Sequence, residues 1–431
     1  MEAAIEGLPP GLARQIVSRL QRGVVPAEGV EFFSAGRERW LASLGQELAD
    51  LADADSRWGI VRILSGRNGD GKTHLMTLLG RQAQQAGFAV SFVTVSREAP
   101  LDRWDRIYRE LGTNLRTGSR PDARGVGAVF DPRAPDPQIG DGFAARAEGL
   151  RRVPRIFRPF AQALYQYCTE SVATVDEEGD LALLGSWLQG EEERGGGADK
   201  LVRTALGPEN GARMVESLVL ALVYFGFRGL VVLLDEVEST LGLPRNRRAN
   251  CYETVRRLID DGSQRAHVLT VLSATPPMFS DEDRGFFSYP ALRSRIDERI
   301  GGRVNYDGQI IDLTRTPLTD ADYAAIGRSI RVIHERGWNW SAAAQAPDSF
   351  IEAAASVAAA GQLTLTYSPT RVFVKLITET LQLARQNPEF HASAVGLDLQ
   401  FDQADQELGP AGTGGGRQQD SDLSSLPQGE S

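Results

Sequence analysis

The residues from Gly66 to Thr73 carry the clearest chemical signal in this sequence. They read Gly-Arg-Asn-Gly-Asp-Gly-Lys-Thr and fill every required position of the pattern G-x-x-x-x-G-K-[ST]. Glycines in this pattern let backbone N–H groups turn toward a phosphate, and the helix that follows adds the partial positive charge of its N-terminus. Lys72 would reach the β- and γ-phosphate oxygens of a nucleotide, and Thr73 would hold Mg²⁺. The predicted nucleotide-binding residues are Gly66, Asn68, Gly69, Asp70, Gly71, Lys72, Thr73 and His74.

The use of lysine supports this interpretation. Lysine and arginine together number 47, but the sequence contains only Lys72, Lys200 and Lys375 as lysines. A compact ammonium suits this loop better than a planar guanidinium does. A chance match would rarely bring a scarce residue to the position where its chemistry is needed.

Two strands are required to position this chemistry. An apolar run at 58–65 predicts a strand before the glycine loop, and 74–79 predicts the start of a helix after it. A second apolar run, 229–234, ends in Asp235 and Glu236, which is a Walker B pattern. We expect Asp235 to bind Mg²⁺ through its water shell and Glu236 to polarise the attacking water as a general base. Glu238 is interpreted as a solvated or helix-capping residue.

A third apolar run, 266–276, predicts a central strand that ends in hydroxyl side chains. In ATPases with an additional strand, the strand beside Walker B ends in a polar sensor of the γ-phosphate. Ser273 or Thr275 would have that role here. A Ser/Thr turn that closes the strand is the alternative for either residue.

Three arginines are candidates for the same site. Arg295, in a segment resembling the Ser-Arg box of AAA+ proteins, would enter a neighbouring subunit's site as an arginine finger; Arg293 is the second choice. Arg371 follows a proline at the start of an amphipathic helix and fits a sensor-2 position. Arg37 lies in a Gly-Arg-Glu segment like that of origin-recognition ATPases, where we expect the base near residues 30–38. A solvated arginine or a plain capped helix is the alternative in each case.

Together these motifs span residues 30–386 and resemble an AAA+ ATPase of the origin-recognition type. Within that class, the segments Gly-Asp-Gly-Lys-Thr-His-Leu, 101–111 and Leu-Asp-Glu-Val-Glu are similar to the ATP-binding (BrxD-like) proteins of bacterial BREX phage-defence systems. The resemblance implies a cytoplasmic ATPase that uses ATP and Mg²⁺ and acts on DNA with helicase-type or methyltransferase-type partners. It also implies a homo-oligomer.

The predicted fold is α/β, a P-loop parallel sheet of the AAA+ kind with a helical insertion and a C-terminal helical lid. The long interval between Lys72 and Asp235 requires the insertion, because a strand or two would fill far less. Its Gly/Pro-rich part, from Gly112 to Asp141, is expected to be mobile. The predicted division is an N-terminal helical segment 1–29, a core 30–96 and 229–315, the insertion 97–228, a lid 316–400 and a disordered tail 409–431.

Composition limits the remaining possibilities. A chain of 431 residues with 42% hydrophobic and 24% charged residues is typical of a globular protein with a large core. A net charge of −10 disfavours a protein devoted to coating nucleic acid, although arginines cluster at 146–158 and 245–248. No apolar run approaches the roughly 18 residues of a membrane span, and neither cysteines nor histidines have metal-site spacing. We therefore expect a cytoplasmic protein.

Three functions fit these motifs. The first is ATP hydrolysis coupled to DNA. The second is an ATP-dependent switch or scaffold with little turnover, and the third is a loader that places a ring helicase on DNA. The same residues serve all three, so only kinetics separates them.

Overall fold

A parallel β-sheet lies at the centre of the fold. The computed structural model describes residues 5–53, 58–134, 136–140, 143–170, 178–191, 202, 204–262, 266–297, 303–361, 368–393, 397 and 401. In this part of the chain the strands are β1 (Ile60–Ser65), β2 (Ala89–Thr94), β3 (Leu230–Asp235), β4 (Val268–Ala274) and β5 (Ile310–Asp312). Their order is β2-β3-β4-β1-β5, and each neighbouring pair is parallel.

This arrangement confirms the predicted α/β class with a parallel sheet. Strands β3 and β4 are buried along their whole length, because helices cover both faces of the sheet, and this is why they read as continuous apolar runs. One face packs against α2 (Glu38–Ala52) and α3 (Lys72–Gln85). The other face packs against α10 (Arg245–Asp260) and α12 (Pro290–Ile296).

The chain between β2 and β3 is largely helical. Its helices are α4 (Trp104–Asn114), α5 (Val126–Val129), α6 (Phe143–Leu150), α7 (Arg158–Glu170), α8 (Glu178–Gln189) and α9 (Gly211–Phe225). These helices share one apolar core with the β2 and β3 side of the sheet. The inserted segment is therefore packed onto the sheet and is not a separate body.

The Gly/Pro-rich part of this segment makes buried contacts. Val126, Val129 and Phe130 in it are buried. The Asp136 carboxylate accepts hydrogen bonds from the Thr117 hydroxyl, at 2.5 Å, and from the Ser119 hydroxyl. The mobility expected of this stretch stays a prediction.

The C-terminal helices are α13 (Asp320–Trp338), α14 (Asp348–Ala360) and α15 (Pro369–Gln386). At the start of α13, the Thr319 hydroxyl accepts a hydrogen bond from the Asp322 amide, and Asp322 closes a capping box. The N-terminal helix α1 (Pro10–Gln21) shares the apolar core of these helices. We refer to α1 and α13–α15 together as the lid.

Short elements complete the description. They are the 3-10 helices Val30–Phe33, Val237–Gly242 and Phe286–Ser288 and the one-turn helix α11 (Pro277–Ser280). The predicted tail 409–431 lies outside the described residues. Every helix in the described part of the chain is too short or too polar to cross a membrane.

Candidate functional site

The glycine loop connects β1 to α3 at the carboxyl edge of the sheet. Gly69 and Gly71 have φ angles of 96° and 92°, a left-handed conformation that glycine adopts without strain. The Asp70 carboxylate accepts a hydrogen bond from the Arg67 amide at 2.7 Å. The loop is therefore closed by its own side chain, and α3 begins directly after it at Lys72.

Lys72 lies over this loop and is 8% exposed. Its Nζ donates to the carbonyl oxygen of Gly66 at 2.9 Å and to that of Arg67 at 3.3 Å. An ammonium has three N–H donors. These two bonds hold the side chain against the loop and leave capacity for an anionic ligand.

Thr73 and Asp235 come together across the sheet edge. The Thr73 hydroxyl donates to Asp235 Oδ2 at 2.7 Å, although β4 separates β1 from β3. A hydroxyl and a carboxylate oxygen are ligands that Mg²⁺ prefers, and the metal usually retains several waters. The donor set of this pair therefore fits Mg²⁺.

Two glutamates follow Asp235. Glu236 has φ 60° and ψ 38°, and its amide donates to Asp235 Oδ1 at 3.0 Å. Its side chain is exposed. Glu238 is half-buried, and burial raises its pKa above the usual range of a glutamate.

These residues line a cavity of about 580 Å³ between the sheet edge and the lid. We call it the loop–lid cavity. Its polar end contains Asn68, Gly69, Asp70, Gly71, Lys72, Thr73, Asp235, Glu236, Glu238 and Ser239. Its other end, which we call the roof, contains Leu20, Gly23, Val24, Val25, Pro26, Phe33, Ser34, Ala35, Leu318, Ile326, Thr370 and Val374. A polar end with backbone donors and an apolar end of this size suit a nucleotide.

His74 and Arg37 also line this cavity. The His74 ring lies 5.2 Å from the Phe33 ring, and burial lowers its pKa to about 4, so the imidazole is neutral at pH 7. Arg37 is 6% exposed and donates to the carbonyl oxygens of Thr316, at 2.8 Å, and Asp70, at 3.4 Å. Burial lowers the pKa of its guanidinium. Arg37 thus ties the glycine loop to the chain that leads into α13.

Arg371 is in the first turn of α15 and lines the cavity. A Cβ placed on Gly69 would lie 2.8 Å from Arg371 Cβ, and one on Gly23 would lie 3.0 Å from a guanidinium nitrogen. Among the described residues, no hydrogen-bond partner reaches the buried Arg371 Nε. Arg371 therefore lies between the glycine loop and the turn after α1, with donor capacity to spare.

The two sensor candidates lie elsewhere. Ser273 is fully buried in β4, and its hydroxyl has no hydrogen-bond partner within the described structure. Thr275 lines a second cavity of about 540 Å³, whose wall also includes Arg37, Asn68 and Asp70. The second cavity is thus separated from the loop–lid cavity by these shared residues. Either hydroxyl as a sensor stays a prediction.

Arg295 lies on α12, outside the lining of both cavities. Its guanidinium makes two hydrogen bonds with the Asp260 carboxylate, at 2.8 and 2.9 Å. This contact lowers the pKa of Asp260 and raises that of Arg295. Its role as an arginine finger for a second subunit stays a prediction, and that role would require the pair with Asp260 to open.

Both arginine clusters are partly used within the fold. Arg247 makes two hydrogen bonds with the Asp102 carboxylate, at 2.9 and 2.7 Å, and Arg248 donates to the Leu243 carbonyl oxygen. In the other cluster, Arg146 donates to the Phe225 carbonyl oxygen and Arg155 pairs with Glu216. These contacts reduce the positive charge that either cluster offers to a phosphate backbone.

The comparison with protein families agrees with this site. A sequence model of the family described as BREX system ATP-binding protein BrxC/D matches residues 9–132 and 148–397. The chain belongs to this family. Searches among curated proteins and among solved structures gave no match. The matched residues include the glycine loop, Asp235 and Arg371.

Sequence reasoning missed two groups of residues. The first is the part of the roof outside 30–38, because its residues come from separated segments and carry no contiguous pattern. The second is Glu238 as a residue that lines the cavity. It lies in the first turn of the 3-10 helix, which agrees with the helix-capping interpretation, and it is half-buried. No pattern in the sequence distinguishes it from a solvated acidic residue after a strand.

Proposed function

We propose that this chain binds and hydrolyses ATP in the loop–lid cavity as an AAA+-type ATPase. The observation that carries the proposal is the meeting of Lys72, Thr73 and Asp235 at one end of a cavity whose other end is apolar. A triphosphate needs cationic and backbone donors, and a purine base needs apolar surface. The cavity offers both, in a family described as ATP-binding.

Each residue has a defined part in this proposal. The glycine-loop amides and Lys72 hold the β- and γ-phosphates, and Thr73 and Asp235 hold the hydrated metal. Bound Mg²⁺ supplies electrostatic stabilisation of the charge on the phosphate oxygens. Glu236 polarises the attacking water as a general base. Arg371 adds positive charge from the lid, and the roof covers the base.

Arg295 completes the site only in an oligomer. From one subunit it would reach the site of the next, where a guanidinium neutralises charge on the γ-phosphoryl oxygens. ATPase rate per protomer should then rise with protein concentration and level off once oligomers form. Arg295→Ala should abolish that rise. A constant rate per protomer from dilute to concentrated solution would contradict the finger.

The cellular part of the proposal follows from the family. We propose that the ATPase acts in the cytoplasm, on DNA and with partner proteins such as a helicase or a methyltransferase, in BREX phage defence. The sequence model that matches the chain is that of a BREX system component. The action on DNA predicts that DNA raises the rate of hydrolysis.

The test is steady-state ATP hydrolysis by the purified protein, without DNA, with single-stranded DNA and with double-stranded DNA. Glu236→Gln is the comparison, because it should bind ATP without turning it over. DNA-stimulated turnover that this substitution abolishes would support the proposal. Tight ATP binding without turnover in either protein would instead favour a switch, an alternative favoured by the single apolar core that joins α1 to the C-terminal helices.

A further inference from the structure

Glu238 is a second glutamate at the polar end of the loop–lid cavity. It lies on the 3-10 helix Val237–Gly242 that follows β3. Asp235 is the last residue of β3, three positions before Glu238. Both residues line the cavity.

The two glutamates differ in their surroundings. Glu236 is exposed, and its backbone is in the left-handed region at φ 60°, which costs free energy for a residue with a Cβ. Glu238 is half-buried, and its Oε2 is screened from solvent without a hydrogen-bond partner among the described residues. Polar atoms in such positions are normally paired, so an unpaired carboxylate oxygen beside a cavity calls for a functional explanation.

The electrostatics of Glu238 suit proton transfer. Burial raises its pKa, a hydrogen bond with its own backbone amide and the Lys72 ammonium oppose that rise, and the charges of Asp235 and Glu236 add to it. A general base works best when its pKa approaches the working pH. The other titratable or charged residues that line the cavity are Arg37, Asp70, His74 and Arg371.

We infer that Glu238 is a second working carboxylate of this site, which orients the attacking water and accepts its proton alongside Glu236. This inference rests on the hydrolysis proposed above. The water oxygen bonds to the γ-phosphorus while the bond from that phosphorus to the β–γ bridging oxygen breaks. The electron pair of the broken bond leaves with ADP, and the proton of the water passes to one of the two carboxylates, Glu236 or Glu238.

The experiment compares Glu238→Gln with wild type, with Glu238→Asp and with Glu389→Gln as a matched control on an exposed glutamate. Three quantities are measured: affinity for a non-hydrolysable β,γ-imido analogue of ATP by calorimetry, kcat across pH, and the thermal midpoint. Glu238→Gln should lower kcat by about 10²-fold, the lower range for losing a general base. It should also raise analogue affinity, because a negative charge near the phosphates is removed.

The pH profile distinguishes a proton acceptor from a structural residue. A base works only when deprotonated, so wild-type kcat should fall as pH drops through the raised pKa of Glu238. Glu238→Gln should lack this fall of kcat at low pH. Glu238→Asp should keep the fall and should have a kcat between those of wild type and Glu238→Gln. The Glu389→Gln control should match wild type in every measurement.

Several results would overturn the inference. If Glu238→Gln has the kcat and the analogue affinity of wild type, Glu238 has no part in the reaction. If Glu238→Gln has a lower thermal midpoint and binds the analogue more weakly, the role of Glu238 is structural. If wild type binds the analogue but never hydrolyses ATP, the proton-accepting role falls together with the proposed hydrolysis. If wild type hydrolyses ATP and Glu238→Gln does so equally, only the inference about Glu238 falls.

Discussion

The two ends of the loop–lid cavity are built in different ways. The polar end comes from two short segments, 66–74 and 235–239, which follow directly after strands of one sheet. The roof comes from 20–26, 33–35, 318–326 and 370–374, which meet only through the apolar core of the lid. The polar end is thus fixed by local backbone geometry, whereas the roof depends on tertiary packing.

This difference has a functional consequence. A glycine loop whose hydrogen bonds are internal can hold phosphates with little rearrangement, because its donors are already oriented. The roof includes residues of the lid helices α1, α13 and α15, and Arg371 of α15 lines the cavity as well. In the proposed complex, the lid therefore contacts both the base and the outer phosphates.

The largest effect should follow from Lys72→Ala at the polar end. Removing the ammonium should weaken ATP binding by about 100-fold, or roughly 3 kcal/mol, the upper range for a hydrogen bond to a charged group. Equilibrium binding of a fluorescent ATP analogue measures this loss of affinity. Lys375→Ala is the matched control, since Lys375 lies on α15 and outside the cavity lining. Equal affinities of the two variants would contradict the polar end as the phosphate site.

Arg371→Ala tests the junction of the two ends. It should weaken ATP binding by about 10-fold, or roughly 1.4 kcal/mol, because one charge-assisted contact from the lid is lost. AMP affinity should change less than ATP affinity if Arg371 acts on the outer phosphates. Arg328→Ala, on the exposed side of α13, should leave both affinities unchanged. A uniform loss for AMP and ATP would place Arg371 at the base or ribose.

Gly69→Ala tests how closely the lid approaches the glycine loop. Its φ of 96° disfavours any Cβ, and the added Cβ would also lie 2.8 Å from Arg371 Cβ. Gly140→Ala is the control, because Gly140 has φ 65° and meets nothing within 4 Å. Both substitutions should cost about 1 kcal/mol of conformational strain, and Gly69→Ala should also weaken ATP binding several-fold. If the two variants have equal free energies of unfolding and equal ATP affinities, Arg371 of the lid does not pack closely against the glycine loop.

The smallest effect concerns the pH dependence of the lid. His334 is fully buried against Trp338, and burial lowers its pKa from 6.5 to about 4. The unfolded chain therefore binds a proton that the folded chain does not, between these two pH values. The free energy of unfolding should fall as pH drops from 6.5 toward 4, by at most about 3 kcal/mol for this group.

Urea titrations at pH 7 and pH 5 measure that loss. His334→Gln should reduce the difference in the free energy of unfolding between pH 7 and pH 5. His391→Gln, at an exposed histidine, should leave that difference unchanged. His74 has a similarly lowered pKa of about 4, so some pH dependence should remain in His334→Gln. If His334→Gln keeps the full wild-type difference, burial of this imidazole does not control the pH response.

The sequence predicted the elements that follow contiguous patterns. Apolar runs at 58–65, 229–234 and 266–276 located the strands β1, β3 and β4 of the described sheet. The contacts of the Gly/Pro-rich stretch before α6 were not predictable in the same way, because the Asp136 carboxylate bonds to the Thr117 hydroxyl, 19 positions away in the sequence. The roof outside 33–35 was beyond sequence reasoning for the same reason, whereas 33–35 lie in the segment expected near the base. Glu238 follows a strand, where acidic residues are usually solvated, and only its burial against the cavity distinguishes it.

The most direct test of the account is photolabelling with 8-azido-ATP, which attaches to residues beside the base. The account predicts label in peptides that contain 20–37, 318–326 or 370–374, and loss of that label in Lys72→Ala. Excess unlabelled ATP should compete for the same peptides. Label confined to 275–277 and 313–317, which line the second cavity, would contradict the assignment of the loop–lid cavity as the ATP site.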